Sequence, residues 1–569
     1  MSTLLPVPPS DRSVMDRGND SSLADPARTR GSIARWLLTL GAGLLAGLVA
    51  VLLMTVVMAL LRWGLGISPP PESVPDRLAP TFNIPDFFRL INQYGGYNGL
   101  KRFGVWTGIR AMIGAGTALG IPYAVVTELG RRRTGAGRLG VPRAGLLFVG
   151  IALALVWGGS LIFLWPVLTA NYRGLPPSTA RPVSAAGLLL SYASFGAGLI
   201  VAYRFVTGHG GRSRVAEETP ATAEAPHRLP PAIPTPRRAL LTGAVGAALG
   251  FASYRLIKRL ESEAVFPYDG TRPRQPQLTA ITPVDQFYVV TKNVVDPRVI
   301  KAFWRLEVMG HVDQSHTYDF DALTALPATT QETTLTCISN QVGDTLLSTA
   351  VWKGVPMRTL LAAAGPKAGA LEVYLHGADG YTDTFPFETA MDPNTLVAYE
   401  MNGQAPPDRH GYPVRLIVPG FFGEKNVKWV TGIEVVDHPV QGFYEQQGWG
   451  PNFVVPTRSQ FYTPALNGPI KVGADVALRG LAFAGNRGVT KVEISLDDGK
   501  SWQPAAIESP GTKLSWALWT YDWRPAQPGD YRLAVRATDG TGTLQTPDNR
   551  GIVPQGATGY HRVTAHVVA

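Results

Sequence analysis

Hydrophobic and polar positions follow two different scales along this chain. Between residues 33 and 257 the apolar positions run together in long uncharged blocks, whereas from 265 to 569 they come in short runs broken by Gly, Pro and charged residues. The first block, "WLLTLGAGLLAGLVAVLLMTVVMALL" from Trp36 to Leu61, is uncharged and exceeds the ~20 residues that cross a bilayer as a helix. Comparable blocks at 107–128, 144–168 and 185–206 predict three more spans, the first of them with Arg110 near its start. A fifth, "ALLTGAVGAALGFASY" at 239–254, is shorter and rich in Gly and Ala. The pattern predicts a membrane anchor over 33–257 with about five helices, preceded by a disordered polar tail at 1–32 and carrying a Pro/Ala/Glu-rich linker at 207–238.

After a linker at 258–284 the period shortens. Within 285–445 the runs "WRLEVMG", "LEVYLHG", "VRLIVPG" and "TGIEVVD" read as strands, and 356–364 reads as a helix. That mixture predicts an α+β domain. Within 446–569 many short strands follow, separated by turn signals such as "DDGKSW" and "ATDGTG". They predict an antiparallel β-sandwich of immunoglobulin type. Glycines such as those of "GAGTALG" at 114–120 fall inside a predicted span, where they permit close helix packing; a dinucleotide site would need a flanking strand.

Charge then fixes orientation. The 52 Lys and Arg against 42 Asp and Glu give a net charge of +10, but the arginines cluster beside apolar blocks, as in "RRRTGAGR" at 131–138. Such clusters mark cytoplasmic loops, and no basic stripe with interleaved aromatics points to a nucleic acid. The amino terminus and the 129–143 and 207–238 connections are assigned to the cytoplasm and the 169–184 connection to the outside. Five spans then put the domains after 258 on the extracytoplasmic face. Arg255, Lys258 and Arg259, directly after the fifth block, are the charge signature of the alternative, four spans and a cytoplasmic soluble part. "TPRRALLTG" at 235–243 places Arg237 and Arg238 before a moderately apolar stretch, the pattern of a twin-arginine export signal.

Cys337 is the only cysteine among 569 residues. One thiol excludes an intrachain disulfide framework, a protein-held iron–sulfur cluster and a zinc ribbon. A lone Cys is ordinarily a small buried hydrophobe, so its neighbours must decide. The polar residues gather in "CISN" at 337–340, "HGADGYTD" at 376–383, "AYEMNGQAPPDRHGYPVRLIVPGFFGEKNVKWV" at 398–430 and "DHPVQGFYEQQGW" at 437–449. Over residues 280–569 these stretches, with the later "VEISLDDGKSW" and "RATDGTGTLQ", resemble the sulfite oxidase family of molybdenum enzymes and its molybdopterin-enzyme dimerisation domain.

The resemblance implies a molybdenum–molybdopterin cofactor, with Cys337 as the metal ligand and a catalytic residue. A pterin dithiolene leaves room for one further soft donor, which a thiolate supplies. It implies a cofactor cradle of Asn340, Asp379, His410, Arg415 and Lys428, with Lys425 as a further basic candidate. Lys292 and Asn293, in "FYVVTKNVVDP", stand where the family has Arg and Asn, so a point charge replaces a planar fork. Gln341 stands in place of a pocket Arg, and Trp449 falls near the expected tyrosine, while Arg487 in "AGNRGV" can reach the pocket from the sandwich. Fewer cations and no phenol at these positions predict a substrate larger or less charged than sulfite.

The chain has no Cys-x-x-Cys-His motif and no histidine in its predicted spans. Haem is therefore not expected, and electrons are expected to pass to an external carrier, a cytochrome or a quinone-linked protein. Beyond the small-molecule substrate, the expected partners are membrane lipid and a second copy of the chain held through the sandwich. The resulting reading is a multi-pass oxidoreductase of a bacterial cytoplasmic membrane, moving an oxygen atom to or from a small sulfur-containing substrate. S-oxide reduction, including that of methionine sulfoxide, and a non-catalytic scaffold that keeps the pterin fold are the alternatives.

Overall fold

A computed structural model describes residues 26–134, 142–208, 236–262, 278–293, 295–466 and 468–569. The expected tail up to residue 25 and most of the two expected linkers lie outside these residues. The amino-terminal part is helical: α1 (Pro26–Leu65), α2 (Pro70–Leu78), α3 (Ile84–Gln93), α4 (Tyr97–Thr134), α5 (Arg143–Leu164), α6 (Pro177–Thr207) and α7 (Pro236–Ser262). Helices α1, α4, α5, α6 and α7 are long and apolar enough to cross a membrane. They match the five expected blocks, and the fifth is a 27-residue helix, longer than its apolar block. Between the first two spans lie α2 and α3, which hydropathy alone does not announce. Asn83 caps α3, its side-chain oxygen accepting from the Asp86 N–H at 2.9 Å, and Ile84 and Pro85 open the first turn.

Small residues set the packing of the spans. A Cβ on Gly120 of α4 would collide with the Gly43 carbonyl of α1, and one on Gly116 would meet Val51 at 2.7 Å. The backbones approach through these glycines, as the "GAGTALG" pattern anticipates. Gly114, in the same stretch, faces open space.

The soluble part begins at the same end of the helix bundle as the α5–α6 connection. Asn171 donates its N–H to the Ala378 carbonyl at 2.9 Å, and Ser178 at the start of α6 donates to Glu307 at 3.3 Å. Lys101, near the start of α4, donates to the carbonyls of Thr291 and Asn293, both at 2.8 Å. The Arg131–Arg133 cluster ends α4 at the opposite pole. This alternation of ends is the one that five spans require. The linker expected up to 284 stops earlier, because the Thr282 N–H already bonds the Thr349 carbonyl at 2.8 Å.

The α+β domain contains β1 (Leu306–Gly310), β2 (His316–Tyr318), α8 (Phe320–Thr324), β3 (Thr329–Thr336), β4 (Leu347–Pro356), α9 (Met357–Ala364), β5 (Glu372–Gly377), β6 (Thr382–Pro386), α10 (Phe387–Ala390), β7 (Leu396–Met401), β8 (Arg415–Ile417) and β9 (Val430–Val436). One sheet has the order β2-β1-β9-β5-β6, with β1 and β9 parallel, and the other is β3-β4-β7-β8. Trp304, fully buried, locks the first sheet by donating its indole N–H to the Val430 carbonyl at 3.0 Å.

The carboxyl-terminal domain contains β10 (Arg458–Thr463), β11 (Ile470–Lys471), β12 (Val476–Phe483), β13 (Val489–Ser495), β14 (Gln503–Pro504), β15 (Ala506–Ser509), β16 (Ala517–Trp523), β17 (Gly529–Asp539) and β18 (His561–Val568). Sheets β10-β12-β16-β15 and β11-β18-β17-β13-β14 form a sandwich that encloses Leu478 and Trp519 from one side and Ile494, Leu533 and Val535 from the other. A separate apolar cluster ties the three parts together: Ile84 of α3, Ile338 and Phe422 of the α+β domain, and Leu481 and Phe483 of the sandwich.

Replacing Gly120 by Leu should force α1 and α4 apart, and overpacking of this kind costs about 1–3 kcal/mol. The expected result is a clear fall in the melting temperature of the full chain in detergent, with Gly114→Leu close to wild type. Equal melting temperatures for the two variants would show that the glycine contact does not support the bundle.

Candidate active site

Strand β3 delivers the cysteine. Its last residue, Thr336, is fully buried, and the chain turns at once: the Cys337 N–H bonds the Leu346 carbonyl and the Asn340 N–H bonds the Cys337 carbonyl, both at 3.0 Å. Asn340 holds this turn from inside, accepting from the Leu346 N–H at 2.9 Å and donating to the Thr336 hydroxyl at 3.3 Å. The thiol lies 3.0 Å from the Ser339 hydroxyl and opens into a cavity of about 280 Å³. Burial, reinforced by the nearby Glu424 carboxylate, pushes its pKa up to about 11. Without a metal it is therefore a protonated thiol at neutral pH; a coordinating cation would deprotonate it.

Of the other expected residues, Lys292, Asp379, His410, Arg415, Lys428 and Trp449 line the same cavity. Arg415 is buried and donates only to main-chain carbonyls, to His410 at 3.1 Å and Asn426 at 3.2 Å among them. Lys428 donates to the carbonyls of Val290 and Arg409, both at 3.1 Å. Burial lowers the pKa of Arg415 to about 10 and of Lys428 to about 8. Each is costly to keep charged where it stands. Asp379 accepts from the Asn293 amide at 2.8 Å and the Tyr381 N–H at 3.0 Å, so Asn293 stands behind Asp379.

Besides Asn293, four of the expected residues lie outside the cavity lining. Lys425 is turned into the protein, with Asp383 and Glu445 each at 2.6 Å, and it does not reach the cavity. Its ammonium needs those two carboxylates to offset burial. Arg487 is held by Asp539 at 2.8 Å and by the Val455 carbonyl and Thr457 hydroxyl, which keeps it in the sandwich. Gln341 is exposed and Asn340 is spent on the turn, so neither side chain lines the cavity. Phenols are present as well: Tyr288, Tyr381 and Tyr444 are in the lining beside Trp449.

Sequence reasoning missed several residues. Arg458, in the first strand of the sandwich, donates to the Thr336 hydroxyl at 3.1 Å and to the carbonyls of Asn340 and Gln341 at 3.3 and 3.1 Å. It backs the cysteine turn with a buried cation close enough to interact with a charge on Cys337. Glu424 lines the cavity with a carboxylate that makes no hydrogen bond of good geometry; only the N–H groups of Ile338 and of Glu424 itself lie near it. Burial, with the charge of Asp383 adding to it, pushes the Glu424 pKa up to about 8. Its position inside "GFFGEKNVKW" was the available signal. Phe87, Phe88 and Ile91 of α3 form another wall, and Asp76 of α2 reaches Lys292 at 3.0 Å. No motif announces a contact across more than 200 residues.

Two protein families and several known proteins are similar to this chain. The families "Oxidoreductase molybdopterin binding domain" and "Mo-co oxidoreductase dimerisation domain" match residues 293–444 and 452–568. An NADH nitrate reductase of Solanum lycopersicum is 30% identical over 324 residues, 46% of this chain and 36% of that protein. The mitochondrial sulfite oxidase of Mus musculus is 29% identical over 344 residues, 51% of this chain and 62% of that protein. The chain thus spans less than two thirds of these curated relatives. Among solved structures, the sulfane dehydrogenase SoxCD from Paracoccus pantotrophus aligns at 25% identity with a TM-score of 0.46, over 52% of this chain and 85% of that one.

The pKa of Glu424 gives a pH test. The unfolded carboxyl loses its proton near 4.5, while the folded one keeps it up to about 8. The folded state then binds more protons, so this group lowers stability as pH rises through that window. In the cofactor-free full chain, Glu424→Gln should match wild type at pH 4.5 and exceed it at pH 8 by at least about 2 °C in melting temperature. A gap that does not change with pH would show that Glu424 is not held protonated.

Proposed function

We propose that this chain, which belongs to the sulfite oxidase family of molybdopterin oxidoreductases, is a membrane-anchored enzyme that moves an oxygen atom to or from a small sulfur-containing substrate and exchanges electrons with a separate carrier. The observation that carries this reading is a buried thiol on a fixed turn, opening into a cavity lined by the buried Arg415 and the half-buried Lys428, whose hydrogen bonds among the described residues go to carbonyl oxygens.

That donor set fits a pterin-held molybdenum. Cys337 offers the soft ligand; Arg415, Lys428 and His410 offer donors to a phosphate and a polar ring, with Asp379 as an acceptor. A buried Arg415 with no carboxylate hydrogen-bonded to it among the described residues, beside the Lys428 ammonium, fits an anionic ligand, which would offset the burial. When bound, the cofactor supplies two-electron oxygen-atom transfer. The protein's part is to hold Cys337 through the Asn340 turn, to place Arg458 where it favours the thiolate, and to exclude water with Trp449 and the α3 side chains. The match to the dimerisation family supports a homodimer through the sandwich, and the placing of the Arg131–Arg133 cluster at the pole away from the site, read with the positive-inside bias, supports a site on the extracytoplasmic face of a membrane.

The S-oxide direction has its own support. Lys292 is neutralised by Asp76 and Glu424 adds a carboxyl group to the cavity, which disfavours a dianion such as sulfite. A protonated Glu424 can instead donate a hydrogen bond to the oxygen of a neutral S-oxide.

Full-length protein from a molybdopterin-competent host should contain about one molybdenum per chain. Cys337→Ser should change or abolish its Mo(V) electron paramagnetic resonance signal while leaving the melting temperature within a few degrees. A signal induced by sulfite would establish sulfite oxidation; a centre silent with sulfite but reoxidised by S-oxides would establish the reverse reaction. Protein without molybdenum would overturn the reading in favour of a scaffold.

A further inference from the structure

A second, larger cavity of about 660 Å³ lies between α2, α3, α4 and the α+β domain. It falls within the ~300–1,000 Å³ usual for small-molecule sites. Its outer part is apolar and aromatic, with Leu78, Phe82 and Phe103 exposed on the helices that form it. Its inner end is charged: Lys101, Asp76 and Lys292 line it together. Two residues, Phe87 and Lys292, line both this cavity and the one that holds Cys337, so the two share a wall.

A passive space for acyl chains needs no charged end, and a water-soluble substrate needs no apolar mouth beside membrane-spanning helices. A flat, lipid-soluble ring with carbonyl oxygens at one end matches both. We propose that this cavity binds a lipid-soluble quinone, entered from the bilayer between α2 and α4, with its ring among the aromatic side chains and a carbonyl oxygen toward Lys101 and Lys292. This inference rests on the oxygen-atom-transfer reading and names its electron carrier.

The reaction balances with no further reactant. In the oxidising direction, substrate, water and quinone give oxygenated substrate and quinol: the substrate gains the oxygen of water and loses two electrons. Those electrons and the two protons of water convert both quinone carbonyls to hydroxyls. In the reducing direction quinol returns them, and the S-oxide oxygen leaves as water. Asp76 and Lys292, 3.0 Å apart, and Lys101 stand at the end where those protons must move.

The test uses the full chain in lipid nanodiscs, prepared with and without molybdenum cofactor, and a photoreactive azidoquinone. Labelling should map to α2–α4 in both preparations and be suppressed by excess decylubiquinone. Gly104 lines the cavity and a Cβ there meets only Pro75 at 3.9 Å, so Gly104→Trp should fill the space. It should weaken decylubiquinone binding at least tenfold and slow quinone reduction equally, with ferricyanide reduction unchanged. Gly159→Trp, on α5 in open space, should behave as wild type. Labelling elsewhere, labelling indifferent to Gly104→Trp, or displacement by phospholipid but not by quinone would overturn the site. A molybdenum centre silent toward sulfite and S-oxides alike, with labelling intact, would instead locate the failure in the oxygen-transfer reading.

Discussion

The ion pair between Lys292 and Asp76 is the contact on which the relation of anchor to active site depends. Lys292 follows the extended stretch that lines the cavity holding Cys337, and Asp76 comes from α2, in the connection between the first two long apolar helices. Burial opposes the ammonium charge, yet Asp76 and Asp379 together hold the Lys292 pKa above its ordinary value. Breaking a buried pair by removing one partner typically costs about 3–5 kcal/mol, because the other charge is left uncompensated. The pair therefore fixes α2, and α3 behind it, against the catalytic domain.

Several properties of the site follow from that docking. With α3 in place, Phe87, Phe88 and Ile91 wall the cavity, and Phe88 packs on Trp449 at a ring separation of 6.4 Å. These apolar walls lower the local dielectric, which strengthens the electrostatic action of the groups beside them. Arg415 stands as a buried cation beside the half-buried Lys428, Arg458 supports the cysteine turn from behind, and burial pushes the Glu424 pKa up to about 8.

The sandwich contributes more than a surface for self-association. Arg458 opens its first strand and bonds three groups of the cysteine turn, and Leu481 and Phe483 pack with Ile338 in the cluster that also takes Ile84 of the anchor. Anchor, catalytic domain and sandwich therefore meet around Cys337. Each supplies something the others lack: a wall, a ligand and a backing charge.

Local chemistry made much of this legible in the sequence. Uncharged blocks announced the five helices that are long and apolar enough to cross a membrane, because a lipid-facing helix must satisfy its backbone internally and can bear few charges. Short runs and turn residues gave the α+β and sandwich order, and the resemblance to the sulfite oxidase family pointed to Cys337, His410, Arg415 and Lys428, which the fold gathers around one cavity. Glycine spacing in α4 gave the close approach to α1. Tertiary structure alone decided which charges face the cavity. Lys425 and Lys428 are three residues apart in one string, yet one pairs with Asp383 and Glu445 and the other donates to the carbonyls of Val290 and Arg409. Arg458, Asp76 and α3 reach the site from distant parts of the chain. A motif records which residues are near in sequence, whereas the charge state and substrate preference of a buried site depend on which partners are near in space.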